Sequence, residues 1–117
     1  MATTTLTTTN FDQTITRTGI TLVDWWAPWC GPCRSFAPIY EHVSGRHPDV
    51  VFGKVDTDAQ PALGQAFEVQ AIPTIMAFRD GILVYEQAGM VSGAVLDKIV
   101  EKVKALDMDD VRRRLEG

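Results

Sequence analysis

The segment WWAPWCGPC at residues 25–33 constrains the fold of this chain more than any other feature. It contains both cysteines of the 117-residue sequence, Cys30 and Cys33, separated by two residues. The apolar run at 20–26 has the pattern of a strand buried on both faces of a sheet. Apolar residues at helical spacing follow over 33–47. The CxxC pair is therefore predicted where a buried strand passes into a helix.

This position favours thiol chemistry at Cys30. A helix N-terminus presents unpaired backbone N–H groups and the positive end of the helix dipole, and both stabilise a thiolate. The thiolate is the nucleophile in disulfide exchange. Cys33 lies one turn further into the helix and is expected to be shielded. We therefore expect Cys30 to be the exposed nucleophile and Cys33 the buried thiol that resolves the mixed disulfide.

A metal site is the weaker interpretation of the cysteine pair. A structural zinc ion needs four ligands, and besides the two cysteines only His42 and His47 could supply them. Pro38 lies in the intervening segment, and no finger hairpin precedes it. Each histidine is expected to be a solvated helix residue, and no metal is predicted. A metal or iron–sulfur site between two chains, with one CxxC from each, stays as an alternative.

Length and charge restrict the remaining classes of function. A chain of 117 residues fits one domain with its own core. Its 15 acidic and 11 basic residues give a net charge of −4, so electrostatics favour neither nucleic acid nor an anionic membrane as a partner. No apolar run approaches the roughly 18 residues of a membrane span, and the N-terminal residues lack the pattern of a secretory signal. A cytoplasmic protein is expected.

Apolar spacing and turn residues predict an alternation of strands and helices along the chain. The predicted strands are 3–9, 20–26, 50–56, 74–78 and 82–86, and the predicted helices are 10–17, 33–47, one from Pro61 and one from Ser92 to Leu106. Asp80-Gly81 is typical of a tight hairpin turn between the last two strands. This order predicts an α/β fold with a mixed sheet and helices on both faces. Residues 1–107 are predicted to form the domain, and 108–117 a charged tail that is expected to be solvated, with one more helical turn as the alternative.

Residues 23–33, VDWWAPWCGPC, resemble the active-site segment of thioredoxins. KVD at 54–56, AIPT at 71–74, FRDG at 78–81 and Gly89 follow in the order and approximate spacing of that family. The chain is thus identified as a member of the thioredoxin family, and the Gly-Pro between its cysteines resembles the reducing members. The resemblance implies a thioredoxin-like α/β fold, with a central mixed sheet of four to five strands flanked by four helices.

The resemblance also implies roles for residues outside the CxxC motif. Asp24 would be a buried carboxylate that moves a proton to and from Cys33, and its place in an apolar run predicts a raised pKa. Lys54 would lie close to Asp24 and tune it. Pro73 would follow a cis peptide bond opposite the cysteines. The implied substrate-binding face consists of Trp29, Gly31, Pro32, Ile72, Pro73, Gly89 and Met90.

The function that the resemblance implies is the reduction of protein disulfides. Such a protein would be a monomer that binds disulfide-containing protein substrates, holds no cofactor of its own and is regenerated by an NADPH-dependent flavin-containing reductase. Two other classes stay open. One is a non-catalytic interaction module with the same fold, and the other is a disulfide isomerase or oxidant, which would need an export route.

Overall fold

The computed structural model describes residues 3–117, which form five strands and five helices. In chain order they are β1 (Thr3–Thr5), α1 (Phe11–Ile15), β2 (Ile20–Trp26), α2 (Gly31–Ser44), β3 (Val51–Asp56), α3 (Pro61–Ala66), β4 (Thr74–Arg79), β5 (Ile82–Ala88), α4 (Gly93–Lys104) and α5 (Met108–Glu116). The sheet has the order β1-β3-β2-β4-β5. The pairs β1–β3 and β3–β2 are parallel, whereas β2–β4 and β4–β5 are antiparallel. The predicted mixed sheet of four to five strands is confirmed, and it has five.

Strand β2 lies in the middle of the sheet and is buried on both faces, as its apolar sequence predicts. Leu22 belongs to the core between the sheet and helices α2 and α4, whereas Val23 and Trp25 belong to the core on the side of α1 and α3. Each large apolar side chain buried in this way contributes about 1.5–3 kcal/mol to stability. Asp24 shares the α2 side of the sheet with Leu22, because side chains two residues apart in a strand point to the same face.

The hairpin between β4 and β5 forms at the predicted turn. Asp80 and Gly81 have φ angles of 54° and 83°, the positive values that a tight two-residue turn requires. The Asp80 carboxylate also accepts a hydrogen bond of 2.8 Å from the backbone N–H of Gly19, just before β2. The hairpin is therefore tied to the start of the central strand, at the end of the sheet remote from the cysteines.

The prediction of a solvated tail at 108–117 was wrong, because most of this segment forms helix α5. The Asp107 side chain caps the helix by accepting hydrogen bonds from the backbone N–H groups of Asp109 and Asp110, at 3.0 and 3.2 Å. Met108 is buried, and Arg112 forms an ion pair of 3.2 Å with Asp80. The helix therefore docks beside the β4–β5 turn, and the flanked sheet has five helices instead of the predicted four.

Two substitutions test whether α5 is docked in solution. Met108→Ala is expected to lower the free energy of unfolding by about 2 kcal/mol, because it removes a buried side chain. Leu115→Ala is the matched control, since that side chain is exposed on the same helix. Guanidinium-induced unfolding measures both. Equal, negligible effects of the two substitutions would show that the helix does not pack on the domain.

Candidate active site

The CxxC pair lies at the junction of β2 and α2, as predicted. Cys30 is the N-cap residue of α2, with extended backbone angles, and Pro32 occupies the first turn. The Cys33 backbone N–H donates a hydrogen bond of 3.2 Å to the Cys30 Sγ. The two cysteines are joined as a disulfide, with their Cα atoms 5.2 Å apart. The helix thus directs the backbone N–H of Cys33 at the Cys30 sulfur.

Cys30 is more deeply buried than the sequence suggested. Its exposed fraction is 4% in the disulfide form, against 2% for Cys33, so the expectation of an exposed Cys30 was wrong for this state. The reason is tertiary, because Trp26 and Ile72 pack against the cluster formed by the two cysteines and Ala27. The Cys30 Sγ lies 3.8 Å from the carbonyl oxygen of Ile72.

Asp24 is a buried carboxylate, as predicted. It is 1% exposed, and neither of its carboxylate oxygens has a hydrogen-bond partner within residues 3–117. Burial raises the pKa of Asp24 from 3.8 to about 7, and the positive charge of Lys54 opposes this increase. Asp24 lies on the face of β2 that α2 covers, the helix that carries Cys33. The predicted rise in pKa is confirmed.

Lys54 is the strand neighbour of Asp24 across the parallel β2–β3 pair. Its Nζ lies over the ring of Trp26, 4.9 Å from the ring centroid, in a cation–π contact. Since the described residues provide no hydrogen bond to the Asp24 carboxylate, Lys54 acts on Asp24 through its charge alone.

The segment opposite the cysteines contains the cis peptide bond Ile72-Pro73, which the resemblance implied. The carbonyl of Pro73 accepts a hydrogen bond of 2.8 Å from the backbone N–H of Gly89, whose φ is 90°. The Thr74 hydroxyl donates a hydrogen bond to the carbonyl of Ala71. These contacts bring residues 72, 73 and 89, which are distant in sequence from the cysteines, to the same end of the sheet.

Trp29, directly before Cys30 in the chain, has 67% of its area exposed. Its Nε1 donates a hydrogen bond of 2.9 Å to the Asp58 carboxylate. Pro32 and Met90 are also exposed, and Gly31 is partly exposed. Of the predicted substrate-binding residues, Trp29, Gly31 and Pro32 flank the cysteines in the chain and Ile72 packs against the pair, and these residues differ in how far solvent reaches them.

Sequence reasoning missed Asp58. The signal that could have revealed it is topological, because β2 and β3 are parallel and their carboxyl ends meet at one edge of the sheet. Thr57, directly after β3, donates a backbone hydrogen bond of 2.8 Å to the carbonyl of Trp26. Arg34, in α2, donates a hydrogen bond of 2.9 Å from its Nη1 to the carbonyl oxygen of Pro28, in the loop between β2 and α2.

The two histidines lie at the end of α2 that is remote from the cysteines, His42 in its last turn and His47 shortly after it. His42 is exposed, but the expectation that His47 is solvated was wrong. His47 is buried, stacks on Phe52 and lies 2.8 Å from the carboxylate of Asp97, whose pKa this hydrogen bond lowers.

Among residues 3–117, no three His, Cys, Asp or Glu side chains are arranged to hold a metal ion. The same part of the chain contains no helix of the length and hydropathy that crossing a membrane requires.

Comparison with known proteins decides the family. The model of the thioredoxin family matches residues 2–105. The chain belongs to the thioredoxin family. It is 49% identical to the putative thioredoxin 2 of Streptomyces coelicolor over 108 residues, which cover 92% of this chain and 81% of that protein. It is 39% identical to the thioredoxin of Staphylococcus saprophyticus over 103 residues, which cover 87% of this chain and 98% of that protein.

Solved thioredoxin structures share the fold. The oxidised form of mitochondrial thioredoxin 3 from Saccharomyces cerevisiae superposes with a TM-score of 0.79 at 32% identity, covering 86% of this chain and 95% of that one. Plasmodium falciparum thioredoxin superposes with a TM-score of 0.78 at 31% identity, covering 84% and 96% of the two chains. The predicted thioredoxin-like fold is confirmed.

Family and geometry together establish the chemistry. Thioredoxins are thiol-disulfide oxidoreductases that act on disulfide substrates and are reduced by thioredoxin reductase. In this chain the Cys30–Cys33 pair is the redox-active group, and the protein is a protein-disulfide reductase that works by dithiol–disulfide exchange.

Proposed function

We propose that Cys30 and Cys33 have separate tasks in the reduction of a protein disulfide. The Cys30 thiolate attacks one sulfur of the target disulfide, which forms a mixed disulfide and releases the other target sulfur as a thiolate. Cys33 then loses its proton and attacks the Cys30 Sγ, which releases the second target thiolate and leaves the Cys30–Cys33 disulfide. Two electrons pass from the dithiol to the target. The N-cap position of Cys30, toward which α2 directs a backbone N–H, carries this assignment.

We further propose that Asp24 accepts the proton of Cys33 as it attacks. A general base works best when its pKa lies near the operating pH, and the pKa of about 7 at Asp24 meets this requirement. No hydrogen bond within residues 3–117 competes for its oxygens. Lys54 tunes this base, because its positive charge favours the carboxylate and keeps the pKa from rising further.

The proposed substrate-binding face surrounds the disulfide. An exposed tryptophan directly before Cys30, together with the exposed Met90 in the segment after β5, favours a surface that binds other proteins. The backbone at Ile72, next to the cis bond, offers an edge for hydrogen bonds to an extended target segment. The residues assigned to this face are Trp29, Gly31, Pro32, Ile72, Pro73, Gly89 and Met90.

The proposal also covers the cellular location, the oligomeric state and the electron donor of the protein. The protein is a cytoplasmic monomer that an NADPH-dependent flavin-containing reductase returns to the dithiol form. Its high identity to bacterial thioredoxins supports this setting. Residues 1–107 form the proposed thioredoxin domain and α5 is an addition to it, and the end of the family match at residue 105 supports this division.

A coupled assay tests the function and its electron donor separately. With NADPH, a flavin-containing thioredoxin reductase and insulin, the protein is expected to consume NADPH continuously while insulin chains separate. Dithiothreitol replaces NADPH and the reductase in a parallel reaction. If the protein accelerates insulin reduction in the dithiothreitol reaction but not in the NADPH reaction, the proposed electron donor is refuted. If it accelerates neither reaction, the reductase function is refuted.

A further inference from the structure

A pocket of about 510 Å³ opens beside Trp29, on the side of helix α3. Its size lies within the range of roughly 300–1,000 Å³ that is usual for binding pockets. Its apolar lining comes from Trp29, Pro61, Val69 and Ile72. Ile72 also packs against the cysteine cluster, so the pocket and the disulfide share a wall. A polypeptide whose disulfide reaches Cys30 therefore passes next to this pocket.

The charge of the pocket is negative. Glu68 is the single charged residue that lines it, and none of the described lining residues is basic. Asp58 adds a second carboxylate close by, since it accepts the hydrogen bond of the Trp29 indole. Within residues 3–117, Glu68 itself has no ion pair and no side-chain hydrogen bond, so its charge is available to a ligand.

Glu68 occupies a position that local folding rules assign to glycine. Its φ is 55°, in the left-handed region, directly after the C-cap of α3. The backbone N–H groups of Glu68 and Val69 donate hydrogen bonds to the carbonyls of Gln65 and Gly64, at 3.1 and 2.9 Å. This is the Schellman arrangement, in which glycine is the usual residue. The backbone conformation therefore does not explain a glutamate at this position, and the glutamate adds a carboxylate to the lining of the pocket.

We propose that this pocket binds a lysine or arginine side chain of the target protein, close to the disulfide that Cys30 attacks. The inference rests on the proposed protein-disulfide reductase function and names a substrate class for it. Lysine and arginine place their aliphatic stems along apolar surface and keep the charged group in water. Here the stem lies against Trp29 and Val69, and the charged group reaches Glu68 at the rim. The exposed face of Trp29 also attracts a cation.

Cyclic disulfide peptides that differ at one residue test this proposal. The variable residue is lysine, glutamine or glutamate, and it is scanned over the positions on both sides of each cysteine. At low salt, the kcat/KM of the wild type is expected to be about three- to fivefold higher for lysine than for glutamine at the matching position, and the preference should fall as salt is added. Glu68→Gln is expected to abolish the preference, and Glu68→Lys to shift it toward glutamate.

Two further variants make the test specific. Glu86→Gln removes the same charge from an exposed site on β5, outside the pocket, and is expected to keep the wild-type preference. Glu68→Gly removes the Glu68 charge with a residue that suits a φ of 55°, so a folding defect cannot explain its loss of preference.

The outcomes separate the inference from the function on which it rests. Equal kcat/KM values for the lysine and glutamine peptides at every position would overturn the pocket proposal while the reductase function stands. A lysine preference that persists in both Glu68→Gln and Glu68→Gly would also overturn it. Failure of the wild type to reduce any of the peptides, or insulin, would refute the reductase function itself.

Discussion

Replacement of Cys30 by serine is expected to lower the rate of insulin reduction to that measured without the protein. The reaction begins with a sulfur nucleophile at the N-terminus of α2, and a serine hydroxyl cannot form the mixed disulfide. Cys33 does not take over this task, because it lies within the first turn of the helix and not at the N-cap position toward which a backbone N–H points. The measurement is the turbidity of separated insulin chains with dithiothreitol as the reductant.

Cys33→Ser is the matched control because it removes the other sulfur from the same turn. This variant is expected to attack the target once and to stop at the mixed disulfide, since no thiol is left to resolve it. Intact-protein mass spectrometry should then find a covalent adduct between Cys33→Ser and a disulfide substrate, and no adduct for Cys30→Ser. Wild-type turnover by Cys30→Ser would contradict the mechanism and favour a non-catalytic role. The reverse pattern of adducts would exchange the roles of the two cysteines.

Replacement of Asp24 by asparagine is expected to stabilise the protein above neutral pH. The pKa of Asp24 is about 7 in the folded protein, against 3.8 without burial, so between these values the folded state keeps a proton that the unfolded state has released. Stability is therefore lost as the pH rises through this window. A pKa difference of this size corresponds to about 4 kcal/mol. Asparagine has no charge to bury, so the variant does not share this loss.

Guanidinium-induced unfolding of the oxidised proteins across the pH range from about 4 to 8 measures the effect. The variant and the wild type should differ little near the acid end, and the variant should gain roughly 2–4 kcal/mol at the alkaline end. Asp12→Asn, at an exposed site on α1, is the control and should follow the wild-type pH dependence. A gain that is the same at every pH would show that the Asp24 carboxylate has an ordinary pKa in the folded protein.

An acid that weakens the fold at neutral pH needs a reason other than stability. Asp24 lies in the most buried strand without a hydrogen-bond partner among the described residues. An apolar side chain there would suit the core better, since burial of an unpaired polar group is unfavourable. The proposed transfer of a proton from Cys33 supplies that reason, and the Asp24→Asn variant is expected to reveal it as slower resolution of the mixed disulfide.

Local features were predictable because each depends on neighbouring residues in the chain. The burial of β2 follows from a continuous apolar run, and the hairpin from Asp80-Gly81, whose backbone angles are determined within the turn itself. The place of the cysteines at a helix N-terminus follows from the change of apolar period at residue 30. A solvated tail was predicted in place of helix α5 because the segment has low hydropathy. Two signals for a helix were present, an N-cap residue at Asp107 and acidic residues in the first turn.

Contacts between distant segments were not predictable from composition or spacing. Burial of Cys30 depends on Ile72, which lies 42 residues later and reaches the sulfur only when β4 pairs with β2. The same is true of His47, which meets Asp97 across 50 residues, and of Asp58, which meets Trp29 across 29. The resemblance to thioredoxins supplied the expectation of the cis bond before Pro73, which the residues alone did not favour.

The sequence by itself determined the chemistry of this protein: two thiols at the start of a helix, a carboxylate in the strand before them and an α/β alternation that buries that strand. Spacing along the chain is enough for these features, because strand and helix periods place side chains over short ranges. Only the tertiary structure decided what surrounds that chemistry. The crossover of parallel strands and the pairing of β4 with β2 brought Ile72, Asp58 and Glu68 to one edge of the sheet, because burial of the two apolar cores requires that packing.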